Sequence, residues 1–141
     1  MVKQTRILMG MPITVEVVDE SATDDDVNTI FDYFEYVDEK FSTYKSTSEI
    51  TAINAGKLTL ADASEDMRTV FRLSEQTRWE TDGFFDIARH GTYDPSGLVK
   101  GWAIYNAAEQ LRQRGFKHYF VDAGGDIQTA GKNAQGKTWR V

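Results

Sequence analysis

With 141 residues, 16 basic and 22 acidic side chains and a formal net charge of −6, the chain has the length of one domain. Hydrophobic residues at 40% and aromatics at 12% are enough for a core, and the acidic balance excludes a basic, counterion-releasing nucleic-acid surface. Cysteine is absent, which excludes disulfides and thiolate sites, and no apolar run is long enough to span a bilayer.

Ile13, Val15 and Val17 alternate with Thr14 and Glu16, the period of a half-buried strand. Thr23 followed by Asp24, Asp25 and Asp26 reads as a helix start, with a cap and acids on the positive end of the dipole. Val27, Ile30, Phe31, Phe34, Val37 and Phe41 then recur at helical spacing, the strongest helix signal in the chain. Asp32, Glu35, Asp38 and Glu39 lie off that stripe and read as a solvated face.

Ser48–Asn54 reads as a short helical turn stopped by Asn54-Ala55-Gly56. Tyr44, in the loop before it, is either a packed surface aromatic or a platform for a flat ring. Asp62 and Glu65 resemble a capping pair, opening a helix to about Trp79 with Met67, Val70, Phe71 and Ser74 inward. Thr81-Asp82-Gly83-Phe84-Phe85-Asp86-Ile87 carries a turn signal at Asp82-Gly83. It reads either as a hairpin tip over a tucked phenylalanine or as a loop lining a pocket.

Asp94-Pro95-Ser96-Gly97-Leu98-Val99-Lys100-Gly101 is a turn running into a helix that ends near Arg114, with Ile104, Ala108 and Leu111 buried. Free N–H groups at such a helix start suit an anion, Lys100 adds a cation, and Asp94 is either a cap or a ligand contact. The positive cluster Arg112 to His118 reads as a solvated helix end. His118–Val121 is a buried-strand pattern, and Asp122-Ala123-Gly124-Gly125-Asp126 turns it into Ile127–Ala130. Thr138–Val141 reads as a further strand just begun. With no internal repeat and no low-complexity linker, the order is strand, helix, helix, turn, helix, hairpin. That is an α+β fold with helices on a mainly antiparallel sheet.

Six segments together resemble the ApbE family of flavin transferases, the FAD:protein FMN transferases. They are Met9-Gly10-Met11-Pro12, Phe41-Ser42-Thr43-Tyr44, Ser48-Glu49-Ile50 with Asn54, Thr81–Asp86, Asp94–Gly101 and Ala123-Gly124-Gly125-Asp126. The resemblance implies a T-fold-related architecture and Mg²⁺-dependent transfer of FMN from FAD to a threonine of a partner protein, with release of AMP. By motif position it implies FAD contacts at Met9, Tyr44, Gly83, Phe84, Phe85, Asp86, Asp94 and Lys100. It implies a carbonyl ligand to Mg²⁺ at Gly97, and no catalytic part for His90 or His118.

Family members continue past the strand expected at Thr138, and their later half carries acidic and threonine Mg²⁺ ligands and a His-containing loop. None of these is matched. The resemblance therefore implies a single domain over residues 1–141 that is incomplete at its C-terminal side. It is a fragment, one of two chains, or a flavin-nucleotide-binding module that has lost the transfer chemistry. Without a signal-peptide core or lipoprotein cysteine the chain as given reads as cytoplasmic, and as extracytoplasmic if it has been trimmed.

Overall fold

A computed structural model describes residues 1–141. Its elements, in order, are β1 (Val2–Leu8), β2 (Met11–Val17), α1 (Asp24–Phe41), α2 (Glu49–Asn54), a 3-10 turn (Leu60–Asp62) and α3 (Glu65–Glu80). They continue with β3 (Ala88–Arg89), β4 (Thr92–Tyr93), α4 (Ser96–Gln113), β5 (Tyr119–Ala123) and β6 (Asp126–Ala130). The chain divides into two compact units, one formed by Met1–Tyr36 with Gly101–Val141 and the other by Val37–Lys100.

The first unit holds a four-stranded sheet in the order β1-β2-β5-β6, antiparallel throughout. Ile13, Val15 and Val17 of β2 and Tyr119, Val121 and Ala123 of β5 point to one face and are buried. The apolar stripes of the helices complete that core, with Val27, Ile30, Phe31 and Phe34 from α1 and Ala103, Ile104, Ala107 and Leu111 from α4. Burying each large side chain contributes about 1.5–3 kcal/mol before the entropy of ordering is counted. Asn106 Nδ2 donates to Tyr33 Oη at 2.9 Å and Arg114 pairs with Asp26 at 2.9 Å, fixing the two helices together. Thr23 caps α1 as the acidic run suggests. Its N and Oγ1 donate to Asp26 Oδ2 at 2.9 and 2.7 Å, and these bonds hold the Asp26 carboxyl below its usual range.

β1 has no counterpart in the sequence reading. It is an edge strand largely exposed on both faces, so it lacks the apolar alternation that reveals β2. The strand expected at Thr138–Val141 does not form. Pairing there reaches no further than an isolated antiparallel bridge from Thr138 to Lys132, across the turn in which Asn133 Oδ1 accepts from Gln135 N and Lys137 N. Trp139 stacks on Phe120 at 5.4 Å between ring centroids and donates to Ala130 O at 2.9 Å.

The second unit is built on α2, α3 and the flanking parts of α1 and α4, with Phe41, Ile50, Met67, Val70, Ile87 and Val99 buried. The cap of α3 is Ser64, whose Oγ accepts from Met67 N, and not the expected Asp62. Asp62 instead closes the 3-10 turn with Thr59. No helix in the chain is long and apolar enough to cross a membrane.

Candidate functional site

The segment after α3 is a helix C-terminus and not the hairpin tip that Asp82-Gly83 suggests. Asp82 (φ 52°) and Gly83 (φ 80°) take left-handed backbone, Asp82 N donates to Trp79 O at 3.3 Å, and Gly83 N donates to Arg78 O at 2.7 Å. The hairpin turn lies further on, at His90 (φ 52°) and Gly91 (φ 79°) between β3 and β4. Beyond the cap, Phe84 N donates to Thr81 O and Phe85 N to Thr81 Oγ1, both at 3.0 Å. Asp86 Oδ1 then accepts from Ala88 N at 2.9 Å. Four successive residues are thereby fixed on irregular backbone with Phe84 exposed and Phe85 half-buried.

This loop meets the start of α4. A Cβ placed on Gly97 would stand 3.4 Å from the Phe85 ring, so Gly97 lets the helix backbone lie against that ring. Asp94 N donates to Ile87 O at 2.8 Å. Asp94 Oδ1 accepts from Ser96 N at 3.1 Å, so this carboxylate does cap the turn, and Oδ2 keeps its lone pairs for another partner. Pro95, which is buried, accepts from Leu98 N and Val99 N through its carbonyl at 3.0 and 2.9 Å, which starts the helix. Lys100 follows one turn inside and is half-buried.

Tyr44 is 99% exposed at the tip of a loop whose stems are bonded to α2. The ring is therefore not the packed surface aromatic of the first alternative. Met9 belongs to the first unit, where it is half-buried at φ 54° beside Gly10 at φ 71° in the two-residue β1–β2 turn. That conformation favours Asn or Gly, and a Met there carries about 1–2 kcal/mol of strain. Gly124 and Gly125 (φ 58° and 97°) make the corresponding turn between β5 and β6, so a tight hairpin fully explains this glycine pair.

Around α2, Glu49 accepts from Lys40 Nζ at 2.7 Å and from Ser64 N at 2.7 Å. Burial pushes the Glu49 carboxyl up, and the bonds from Lys40 and Ser64 outweigh it, so the group sits below its usual range. A groove of about 550 Å³ along α3 is lined by Phe71, Arg72, Ser74, Arg78, Asp86 and Tyr93 among others; of the expected site residues it touches Asp86 alone. The structure thus brings Gly83–Asp86 together with Asp94–Lys100. Sequence reasoning missed the part of Asn54, which looked like a helix stop and in fact bonds Tyr93 through both ends of its amide. No group of three or more His, Asp or Glu side chains stands close enough to hold a metal ion.

A family model described as the ApbE family matches residues 9–93 and 89–141. The FAD:protein FMN transferases of Haemophilus influenzae and Salmonella typhimurium are each 40% identical over 48 residues, which is 34% of this chain and 14% of each relative. Among solved structures, the flavin transferase ApbE from Vibrio cholerae superposes with a TM-score of 0.88 at 21% identity, covering 99% of this chain and 62% of that one. The apo flavinyl transferase ApbE from Pseudomonas stutzeri gives 0.85 at 18% identity, covering 99% and 64%. At these identities the structural likeness speaks for the fold alone. The chain spans less than two thirds of the length of either solved protein.

Proposed function

This chain belongs to the ApbE family, and from that premise we propose that it binds FAD and takes part in moving the FMN half onto a threonine hydroxyl of a target protein. In that transfer the threonine oxygen bonds to the FMN phosphorus and the diphosphate P–O bond breaks. AMP leaves with the bonding electrons, and the hydroxyl proton is released. The observation that carries the proposal is the junction of the Thr81–Asp86 loop with the start of α4, joined through Ile87–Asp94 and Phe85–Gly97.

Each residue has a part that its chemistry suits. Tyr44 offers an exposed ring for stacking against the isoalloxazine or adenine, and Met9 a polarizable side chain on a fixed turn. Backbone carbonyls of Gly83–Asp86 present acceptors to a heteroaromatic edge, while the N–H groups of Gly83, Phe84 and Phe85 are bonded within the protein. Asp94 Oδ2 accepts from a ribose hydroxyl or a ring N–H, and Lys100, one turn inside α4, faces the diphosphate. The nucleophile comes from the partner, so no Ser–His pair is required of this chain.

Mg²⁺ fits here only as an ion carried in on the substrate. The donor this chain would offer is the Gly97 carbonyl, and a hard cation would draw its other oxygens from diphosphate and water. Once bound it neutralises phosphate charge during transfer. That sparse donor set is also the observation favouring a second reading, capture of flavin nucleotide without transfer.

The test is FAD titration of the 141-residue chain, followed by incubation with Mg²⁺ and an acceptor protein bearing the target threonine. Flavin covalently on the acceptor by mass spectrometry supports the transferase. Saturable binding without labelling selects the binding module. Neither signal from a folded chain refutes both.

A further inference from the structure

Helix α2 is six residues long, yet both of its ends are bonded to segments that carry proposed flavin contacts. At its start, the buried Ser48 hydroxyl donates to Ser42 O at 2.6 Å and accepts from Thr51 N at 3.2 Å. Thr51 Oγ1 donates to Lys45 O at 2.8 Å. The two carbonyls bracket Tyr44, so the stems of its loop are fixed while the ring stays in solvent. At the other end, Asn54 Nδ2 donates to Tyr93 O at 2.9 Å and Asn54 Oδ1 accepts from Tyr93 N at 2.8 Å. The amide reproduces the donor–acceptor pair that a neighbouring strand would offer, with the two functions on separate atoms of one planar group.

Tyr93 is also gripped by its ring, which meets Phe71 edge-on at 4.9 Å. Asp94 is the next residue, bonded to Ile87 O through its N–H and to Ser96 N through its carboxylate. Between the two ends Ile50 is fully buried, and Glu49 is held by Lys40 and by Ser64 N. Shifting α2 therefore breaks a charge-assisted bond as well as a packed contact.

We infer that α2 is a spacer that sets the distance between Tyr44 and Asp94, with Ser48 positioning the first and Asn54 the second. The inference rests on the flavin reading of Tyr44 and Asp94. Neither Ser48 nor Asn54 need touch the ligand.

The test is a set of double-variant cycles in FAD titrations of the 141-residue chain, with thermal melts as the folding control. Asn54→Ala should weaken FAD about tenfold, or 1.4 kcal/mol. It should do nothing more in an Asp94→Ala background, yet add in full in a Tyr44→Ala background. Ser48→Ala should show the opposite pattern, and Ser48→Thr, which keeps the hydroxyl, should restore most of the affinity. Amide hydrogen exchange supplies a ligand-free readout: Asn54→Ala should speed Tyr93 and Asp94 and leave Ser42 to Lys45 unchanged. If Tyr44→Ala and Asp94→Ala bind FAD like the parent, the flavin reading falls and this inference with it. If those two weaken binding while Asn54→Ala does not, or adds equally in both backgrounds, the spacer role alone is overturned. Unchanged exchange at Tyr93 overturns the clamp whatever the ligand does.

Discussion

Replacing Glu49 by Gln isolates one charge at the point where three helices of the second unit are joined. Glu49 Oε2 accepts from Lys40 at 2.7 Å, both side chains being 16% exposed, and Oε1 accepts from the N–H of Ser64, the cap of α3. The glutamine keeps the oxygen facing Ser64 but sets an uncharged amide against a half-buried ammonium. The loss is one charge-assisted hydrogen bond, about 1.5–3 kcal/mol. At about 3 °C per kcal/mol for a chain of this size, the melting temperature should fall by about 5–9 °C at pH 7. The pH dependence sharpens the test. A carboxyl whose folded pKa lies below the ordinary 4.5 contributes stability that is complete above that value and lost as pH falls through the folded pKa. The gap between parent and Glu49→Gln should therefore be constant from pH 7 to about 5 and close below 4.5. Asp26, Glu75 and Glu109 also have lowered values, so only the difference between the two proteins is informative. Denaturant unfolding at a series of pH values measures it. A variant within 0.5 kcal/mol of the parent at pH 7, or a gap that persists unchanged to pH 3, refutes the reasoning.

Three further substitutions probe other links. Met9→Gly removes left-handed strain of about 1–2 kcal/mol and adds a glycine entropy cost of about 0.5–1, so stability should rise by up to about 1.5 kcal/mol in denaturant melts. If Met9 contacts the flavin, the same variant binds FAD more weakly; a rise in both quantities removes Met9 from the site. Ser74→Ala removes a buried hydroxyl with no hydrogen-bond partner, and calorimetry should show a gain of about 1 kcal/mol; a loss means the hydroxyl is paired in solution. Lys100→Ala should cost about 1.5–3 kcal/mol in FAD binding, less at high salt, and leave riboflavin binding unchanged because riboflavin has no phosphate. An unaltered FAD-to-riboflavin ratio places Lys100 elsewhere.

What could be read from the sequence follows from the range of the interactions involved. α1 was legible because Val27 to Phe41 repeat on one stripe and Thr23 caps through a partner three residues away. The motifs from Thr81 to Asp86 and from Asp94 to Lys100 were legible as a family pattern, and the structure adds that they meet. β1 was not legible because an exposed edge strand has no buried face to produce a period. The hairpin-tip alternative at Asp82-Gly83 fails because that turn closes α3, and the left-handed pair that joins two strands is His90-Gly91, which only the structure shows. The work of Asn54 was invisible because its partner is Tyr93, 39 residues away, and no local pattern encodes a bond at that separation.

The sheet order has a consequence for how the chain reaches this structure. The central ladder pairs Ile13 with Ala123 and Val17 with Tyr119, partners roughly a hundred residues apart. On a ribosome, the β1–β2 hairpin emerges before β5 and waits for about a hundred further residues before its inner edge is paired. During that interval Ile13, Val15 and Val17 have only the helices to cover them, and β2 presents an open row of backbone donors and acceptors. The helical middle can assemble through contacts of shorter range while the sheet is still half made. Closure of β5 against β2 is then the late, entropy-limited event, and the interval before it is when this protein is most exposed to misassociation.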